Sequence, residues 1–193
     1  MIRYAITERS SFAGDDAAQQ AALVAQAAQL AREGVEYLQV REKDLSESAT
    51  VALVRALRAA IADAGGSTKL MLNGTAALAQ WAGADGVHLS STNFAQNLQS
   101  HHGLEVSASC HTMADVRRAC EFATLILFAP VFEKRVDGEV VVAGAGLEAL
   151  REACAYAASQ EVPVLALGGV DASNVAACVE AGAAGVAGIR MFA

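Results

Sequence analysis

The sequence predicts an α/β chain closed into a (β/α)8 TIM barrel, one domain over residues 1–193 whose eighth helix is truncated or missing. Three observations carry this prediction. Short apolar or β-branched runs alternate with Ala-rich segments of helical period, with no intervening linker or shift in composition. The spacing of these modules is near-even, and no G-x-G-x-x-G follows the first strand, which favours a closed ring over an open doubly wound sheet. Finally, Ala-Gly-Ala-Asp-Gly-Val at 82–87 and Ala-Gly-Ala-Ala-Gly-Val at 181–186 are near copies, each reading as a helix stop, a tight turn and a new strand.

In chain order, the expected strands are Ile2–Ile6, Tyr37–Arg41, Lys69–Leu72, Gly86–Leu89, Glu105–Ser109, Leu125–Ala129, Val164–Leu167 and Gly185–Ile189. Side chains with N-capping oxygens stand before the helical runs between them: Asp15 before Ala17–Arg32, Ser46 before Ser48–Ala64, Thr112 before Met113–Cys120, and Asp171 or Ser173 before Val175–Ala181. Gly34, Gly65, Gly83 and Gly182 read as helix stops. Residues 133–143 carry hairpin punctuation at Asp137-Gly138 and are expected to form a lid or a strand pair. Only Arg190-Met191-Phe192-Ala193 follows the last strand, so the flank between the last and first helices is expected to be exposed and covered by a partner subunit, giving a homodimer.

Composition narrows the function classes. With 54% hydrophobic residues and 18% charged ones, 193 residues suit a single well-cored domain. A net charge of −7 argues against nucleic-acid binding, which needs a cationic face, while leaving small anions possible through local cations. No apolar run has the length of a membrane span and Met1-Ile2-Arg3-Tyr4 does not read as a signal peptide, so the expectation is a cytoplasmic protein. Cys110, Cys120, Cys154 and Cys178 show no C-x-x-C spacing, which disfavours zinc or a disulfide framework.

A barrel places its active site at the C-terminal ends of the strands. The residues there share a character, because polar side chains and glycines follow nearly every predicted strand. After the second strand come Arg41-Glu42-Lys43-Asp44, where Arg41 and Lys43 are two apart and share a side in extended chain. Two such cations suit a phosphate or pyrophosphate, unless Glu42 and Asp44 neutralise them in a solvated loop. Gly168-Gly169 and Gly188-Ile189 close the last two barrel strands, where barrels often set a phosphate against backbone amides. Ser109-Cys110-His111 offers a hydroxyl and an imidazole at the fifth strand end, with His111 the candidate proton shuttle and Ser109 beside it. Neighbours on a strand point opposite ways, so a Cys110–His111 nucleophilic dyad is disfavoured. His88 reads as structural or wall-forming, and His101 and His102 as loop residues.

These residues carry a family likeness across nearly the whole chain: Tyr4-Ala5-Ile6-Thr7, Gln39-Val40-Arg41-Glu42-Lys43-Asp44, Gly86-Val87-His88-Leu89, Ser109-Cys110-His111-Thr112, Pro130-Val131-Phe132 and Ala166-Leu167-Gly168-Gly169-Val170. The sequence resembles the superfamily of thiamine phosphate synthase and the TenI-type thiazole tautomerase. The resemblance implies a (β/α)8 barrel, a thiazole phosphate ligand and a dimer.

Its two branches imply different chemistry. The synthase joins hydroxymethylpyrimidine pyrophosphate to thiazole phosphate with magnesium, and its pattern has Asn-Asp-Arg after the third strand and an acidic residue after the fourth. This chain reads Asn73-Gly74-Thr75 and Ser90-Ser91-Thr92-Asn93 there, so both implied metal carboxylates are absent, and the Pro-Thr-x-Thr-Lys loop is replaced by Glu133-Lys134-Arg135-Val136-Asp137. Gln39, Arg41, Lys43, Asn73 and Ser109 match the synthase pattern; Gln39, Arg41, Lys43, Asn73 and Lys134 are the candidate substrate contacts, and Ser109 with His111 the candidate catalytic residues. The tautomerase pattern, Asn-Gly, Ser-x-His and Val-Phe-Glu, is matched by Asn73-Gly74, Ser109-Cys110-His111 and Val131-Phe132-Glu133. That match implies aromatisation of a carboxythiazole phosphate by proton transfer, with no metal or other cofactor; magnesium enters only under the synthase alternative. A non-catalytic sensor that binds thiazole phosphate is the reading from a different class.

Overall fold

A computed structural model of the chain describes residues 1–94, 103–136 and 139–193; the side chains of 134–136 are not described. Eight parallel strands close into a ring: β1 (Ile2–Ile6), β2 (Tyr37–Val40), β3 (Lys69–Asn73), β4 (Gly86–Leu89), β5 (Glu105–Cys110), β6 (Leu125–Phe128), β9 (Val164–Ala166) and β10 (Gly185–Gly188). They neighbour one another in chain order, with β9 beside β6 and β10 sealing against β1. Two further strands among the described residues, β7 (Lys134–Val136) and β8 (Glu139–Val142), pair with each other, antiparallel, at the barrel mouth. Residues 133–143 therefore contain a strand pair, while Asp137 and Gly138 lie outside the described residues.

Helices α1 (Asp16–Arg32), α2 (Glu47–Asp63), α3 (Ala76–Ala82), α4 (Met113–Ala119), α5 (Gly146–Ala158) and α6 (Val175–Glu180) wrap the ring. The expected caps are present on α1, α2 and α4: Asp15, Ser46 and Thr112 accept the amides of Ala18, Ala49 and Asp115, and Thr112 with Asp115 completes a capping box. The start of α6 departs from expectation. Its N-cap is Asn174, because Asp171 and Ser173 hydrogen-bond each other in the preceding turn.

The repeated hexapeptide has a geometric cause. Gly83 and Gly182 end a helix at positive φ (+77° and +101°), and Gly86 and Gly185 then start a strand so close to its neighbour that a Cβ would fall 2.5 Å from Glu105 O or 1.9 Å from Ile2 O.

Strand alternation sorts the core into two. Tyr4, Ile6, Met71, Leu125, Leu127, Leu165 and Ala187 fill the inside of the ring, and a larger set including Leu38, Val40, Val54, Leu57 and Ile126 packs between sheet and helices. After β10 there is a 3-10 turn, Arg190–Phe192, in place of an eighth helix. Met191 and Phe192 pack onto the outer core, and Gln26 of α1 donates to the Phe192 carbonyl at 2.9 Å, so the chain itself covers part of the flank expected to be open. No helix among the described residues is long and apolar enough to cross a membrane.

Candidate active site

The C-terminal strand ends open into a cavity of about 990 Å³. Gln39, Arg41, Lys43, Asn73, Ser109, His111, Gly168, Gly169, Gly188 and Ile189, contributed by five strand ends, all line it. The side chain of Lys134 lies outside the described residues, as do His101 and His102.

The charge cluster after β2 is divided by Arg9. This residue follows β1 and is 7% exposed; its guanidinium pairs with Asp16 and Asp44 and sits 3.7 Å from Glu42, whose carboxylate also accepts the Arg9 amide at 3.1 Å. Glu42 and Asp44 are thus turned toward Arg9, away from their chain neighbours. Arg41 and Lys43 face the cavity and form no ion pair with any carboxylate among the described residues. The reading in which Glu42 and Asp44 neutralise them is excluded by this third cation, which arrives from the β1 end. Thr7 completes the join by accepting the Arg41 amide at 2.9 Å.

On the opposite wall, Gly168 and Gly169 adopt φ of +90° and +66°. A Cβ on either would lie 2.7 Å from Pro130 or Phe132, so only glycine fits this approach between the β6 and β9 ends. Their carbonyls are occupied: Phe132 N–H donates to Gly168 O at 3.0 Å and the Asn174 amide to Gly169 O at 2.9 Å.

His111 stands just past β5. Its backbone amide donates to Asp115 at 3.0 Å and its Nδ1 lies 2.6 Å from the Ala129 carbonyl oxygen. A carbonyl can only accept, so Nδ1 carries a proton, and in the neutral ring the lone pair is on Nε2. Cys110 points the other way, into the outer core, and burial pushes its thiol well above the ordinary range. This is the orientation expected from strand alternation, and it leaves no Cys–His dyad.

Beneath the cavity, a polar column runs through the barrel interior. Gln39 Nε2 is 3.1 Å from Tyr4 Oη, Tyr4 Oη 2.9 Å from Ser107 Oγ, Ser107 Oγ 2.8 Å from His88 Nδ1, and His88 Nε2 2.8 Å from Ser109 Oγ. Burial first, and the Arg41 charge second, push His88 down to about 3, so its ring is neutral. Burial raises the Tyr4 phenol, which keeps its proton. Tyr4 stands in the motif Tyr4-Ala5-Ile6-Thr7 without an assigned site role and Ser107 in no motif; polar residues at inward positions of apolar strands are the signal that points to them.

The family described as thiamine monophosphate synthase matches residues 4–192. The chain belongs to the thiamine monophosphate synthase family. A thiamine-phosphate synthase of Anaeromyxobacter dehalogenans is 36% identical over 166 residues, covering 83% of this chain and 71% of that protein. A Geobacter sulfurreducens protein provisionally named thiamine-phosphate synthase is 34% identical over 191 residues, covering 95% and 83%. Among solved structures, thiamine phosphate pyrophosphorylase from Pyrococcus furiosus superposes with a TM-score of 0.75 at 22% identity, over 100% of this chain and 88% of that one, which establishes the shared barrel.

Magnesium, implied for the synthase branch of the thiamine monophosphate synthase family, does not fit the donors at the β3 and β4 ends. Asn73, Gly74, Ser90 and Asn93 stand there, all neutral, whereas the carboxylates on the cavity wall, Glu133 and Asp171, follow β6 and β9. Asp171 already accepts from Ser173 Oγ at 2.5 Å and Ser173 N at 2.8 Å, bonds that hold its carboxyl below the usual range. No group of three or more His, Cys, Asp or Glu side chains that could hold a metal occurs among the described residues.

Proposed function

We propose that this member of the thiamine-biosynthesis family is a TenI-type tautomerase that aromatises a carboxythiazole phosphate by moving a proton, without a metal. The observation that supports this reading is the His111–Ala129 hydrogen bond, which puts a proton on Nδ1 so that Nε2 is the basic nitrogen of the neutral imidazole at the cavity wall. In the mechanism, amides of Gly168, Gly169, Gly188 and Ile189 receive the phosphate, and Arg41 and Lys43 hold the carboxylate. Asn73 and Gln39 complete the contacts around the ring. His111 Nε2 takes a proton from the ring carbon and returns it at the site that completes aromatisation. The same reading includes a homodimer, which sedimentation at micromolar concentration checks.

The second reading is thiamine phosphate synthase, favoured by the names of relatives 32–36% identical to this chain. Gln39, Arg41, Lys43, Asn73 and Ser109 suit either reaction, so two assays on one preparation separate them. Aromatisation in the presence of a chelator, lost in His111→Ala, is the expected result. Coupling of hydroxymethylpyrimidine pyrophosphate to thiazole phosphate at millimolar magnesium, without aromatisation, would establish the synthase instead. Binding of thiazole phosphate with neither turnover would mark a sensor.

A further inference from the structure

The column from Gln39 to Ser109 has a direction, which follows from counting its protons. Tyr4 is fully buried and has one hydroxyl proton; Gln39 Nε2 donates to its oxygen, so that proton goes to Ser107 Oγ. Ser107, also 0% exposed, then has its own proton for His88 Nδ1, which must accept. The imidazole proton is therefore on Nε2 and is given to Ser109 Oγ. Ser109 accepts there and sends its own proton toward the cavity that it lines.

The other arrangements fail. With Gln39 Nε2 on Tyr4, as found, reversing the other bonds aims two donors at the Tyr4 oxygen and leaves the phenolic proton without an acceptor. Letting both Tyr4 and His88 Nδ1 donate to Ser107 strands the Ser107 proton, since Ser107 has no third hydrogen-bond partner among the described residues. Each failure costs a buried unpaired donor. The column as found has none: among the described residues, the buried side-chain nitrogen or oxygen atom without a partner is Arg9 Nε, outside it.

We infer that Tyr4, Ser107 and His88 form a one-way hydrogen-bond relay that locks His88 in its Nε2–H tautomer and makes Ser109 a hydrogen-bond donor to the ligand. These three act as positioning residues, and their effect reaches the ligand through Ser109. The specificity that results is chemical: the ligand atom above Ser109 is an acceptor, such as an unprotonated ring nitrogen or a carboxylate oxygen, and a ligand presenting N–H there is rejected. His111, with its proton on Nδ1, presents the opposite polarity, so the two imidazoles near one cavity are fixed in different tautomers by different partners. The inference rests on the cavity being the ligand site, whichever reaction occurs there.

The test uses the whole chain labelled with 15N-histidine and needs no ligand, so its failure is separable from failure of the proposed reaction. Long-range NMR correlations report which nitrogen of each imidazole carries the proton, and loss of one signal set in His88→Gln assigns His88. The expected pattern is protonated Nε2 and bare Nδ1. A proton on Nδ1 would overturn the relay, because Gln39 would then turn its carbonyl to Tyr4 and Ser109 would accept. In Tyr4→Phe, which keeps the ring volume and removes the driving proton, the tautomer is expected to become mixed; an unchanged tautomer would show that the column does not set it. With thiazole phosphate as the probe, Ser109→Ala is expected to weaken binding about 3- to 10-fold, and much less in the Tyr4→Phe background. Equal losses in both backgrounds would also overturn the relay.

Discussion

The carboxylate of Glu42 is bound to Arg9, a residue from a different strand end, and not to Arg41 or Lys43 beside it in sequence. The consequence is a mouth in which cations two residues apart face a cavity while the intervening acid is drawn behind them. Replacing Arg9 by Gln releases Glu42 and Asp44 to compete for Arg41 and Lys43. Thiazole phosphate binding is expected to weaken and the thermal midpoint to fall, and Glu42→Gln in the same chain is expected to recover part of both. Calorimetric titration and a thermal melt of the parent and the two variants check this.

His111→Asn removes the Nε2 lone pair. Turnover in the aromatisation assay is expected to drop about 10²- to 10⁴-fold, with thiazole phosphate affinity little changed. A parallel loss of affinity and turnover would assign His111 to binding alone.

Gly168→Ala and Gly169→Ala each place a methyl 2.7 Å from Pro130 or Phe132 at positive φ. Each is expected to cost about 1–3 kcal/mol of stability and to weaken phosphate-bearing ligands at least as much as their dephosphorylated forms. Gly188→Ala, whose Cβ meets the flexible Met191 side chain at 3.0 Å, is the milder control. Urea unfolding and ligand titration measure both effects.

The buried neutral His88 makes stability depend on pH. Its folded value, about 3, lies below the ordinary 6.5, so between these values the unfolded chain binds the proton and the folded chain does not. The contribution is fully present above pH 6.5 and is lost as pH falls toward 3. The parent is expected to lose up to about 1.4 kcal/mol per pH unit from this residue, a slope absent from His88→Gln. The stability gap between the two proteins therefore narrows on acidification, measured by urea midpoints from about pH 7 to about pH 4; a constant gap would contradict the assigned burial.

The ring and its caps were legible because they are local. Alternating apolar strands, Asp15, Ser46 and Thr112 before helices, and stopping glycines all act within a few residues. The rim was legible as a set, since barrel topology brings strand ends together wherever they occur in sequence. What escaped was pairing between distant residues. Arg9 meets Glu42 and Asp44 across 33 and 35 positions, and Tyr4 meets Ser107 across 103, separations over which no spacing rule operates. The first turn of α6 was missed for the opposite reason, because Asp171, Ser173 and Asn174 are all competent caps and local sequence does not rank them.

Among the described residues β7 and β8 bond to each other and to no strand of the ring, so the ribbon beside the mouth is not part of the barrel's own ladder. Insertions, deletions or wholesale exchange of this flap leave every rung of the barrel ladder untouched, while Val142 and its neighbours redraw the opening through which molecules pass. Relatives built on the same staves can thus diverge in what they admit by editing this short ribbon alone.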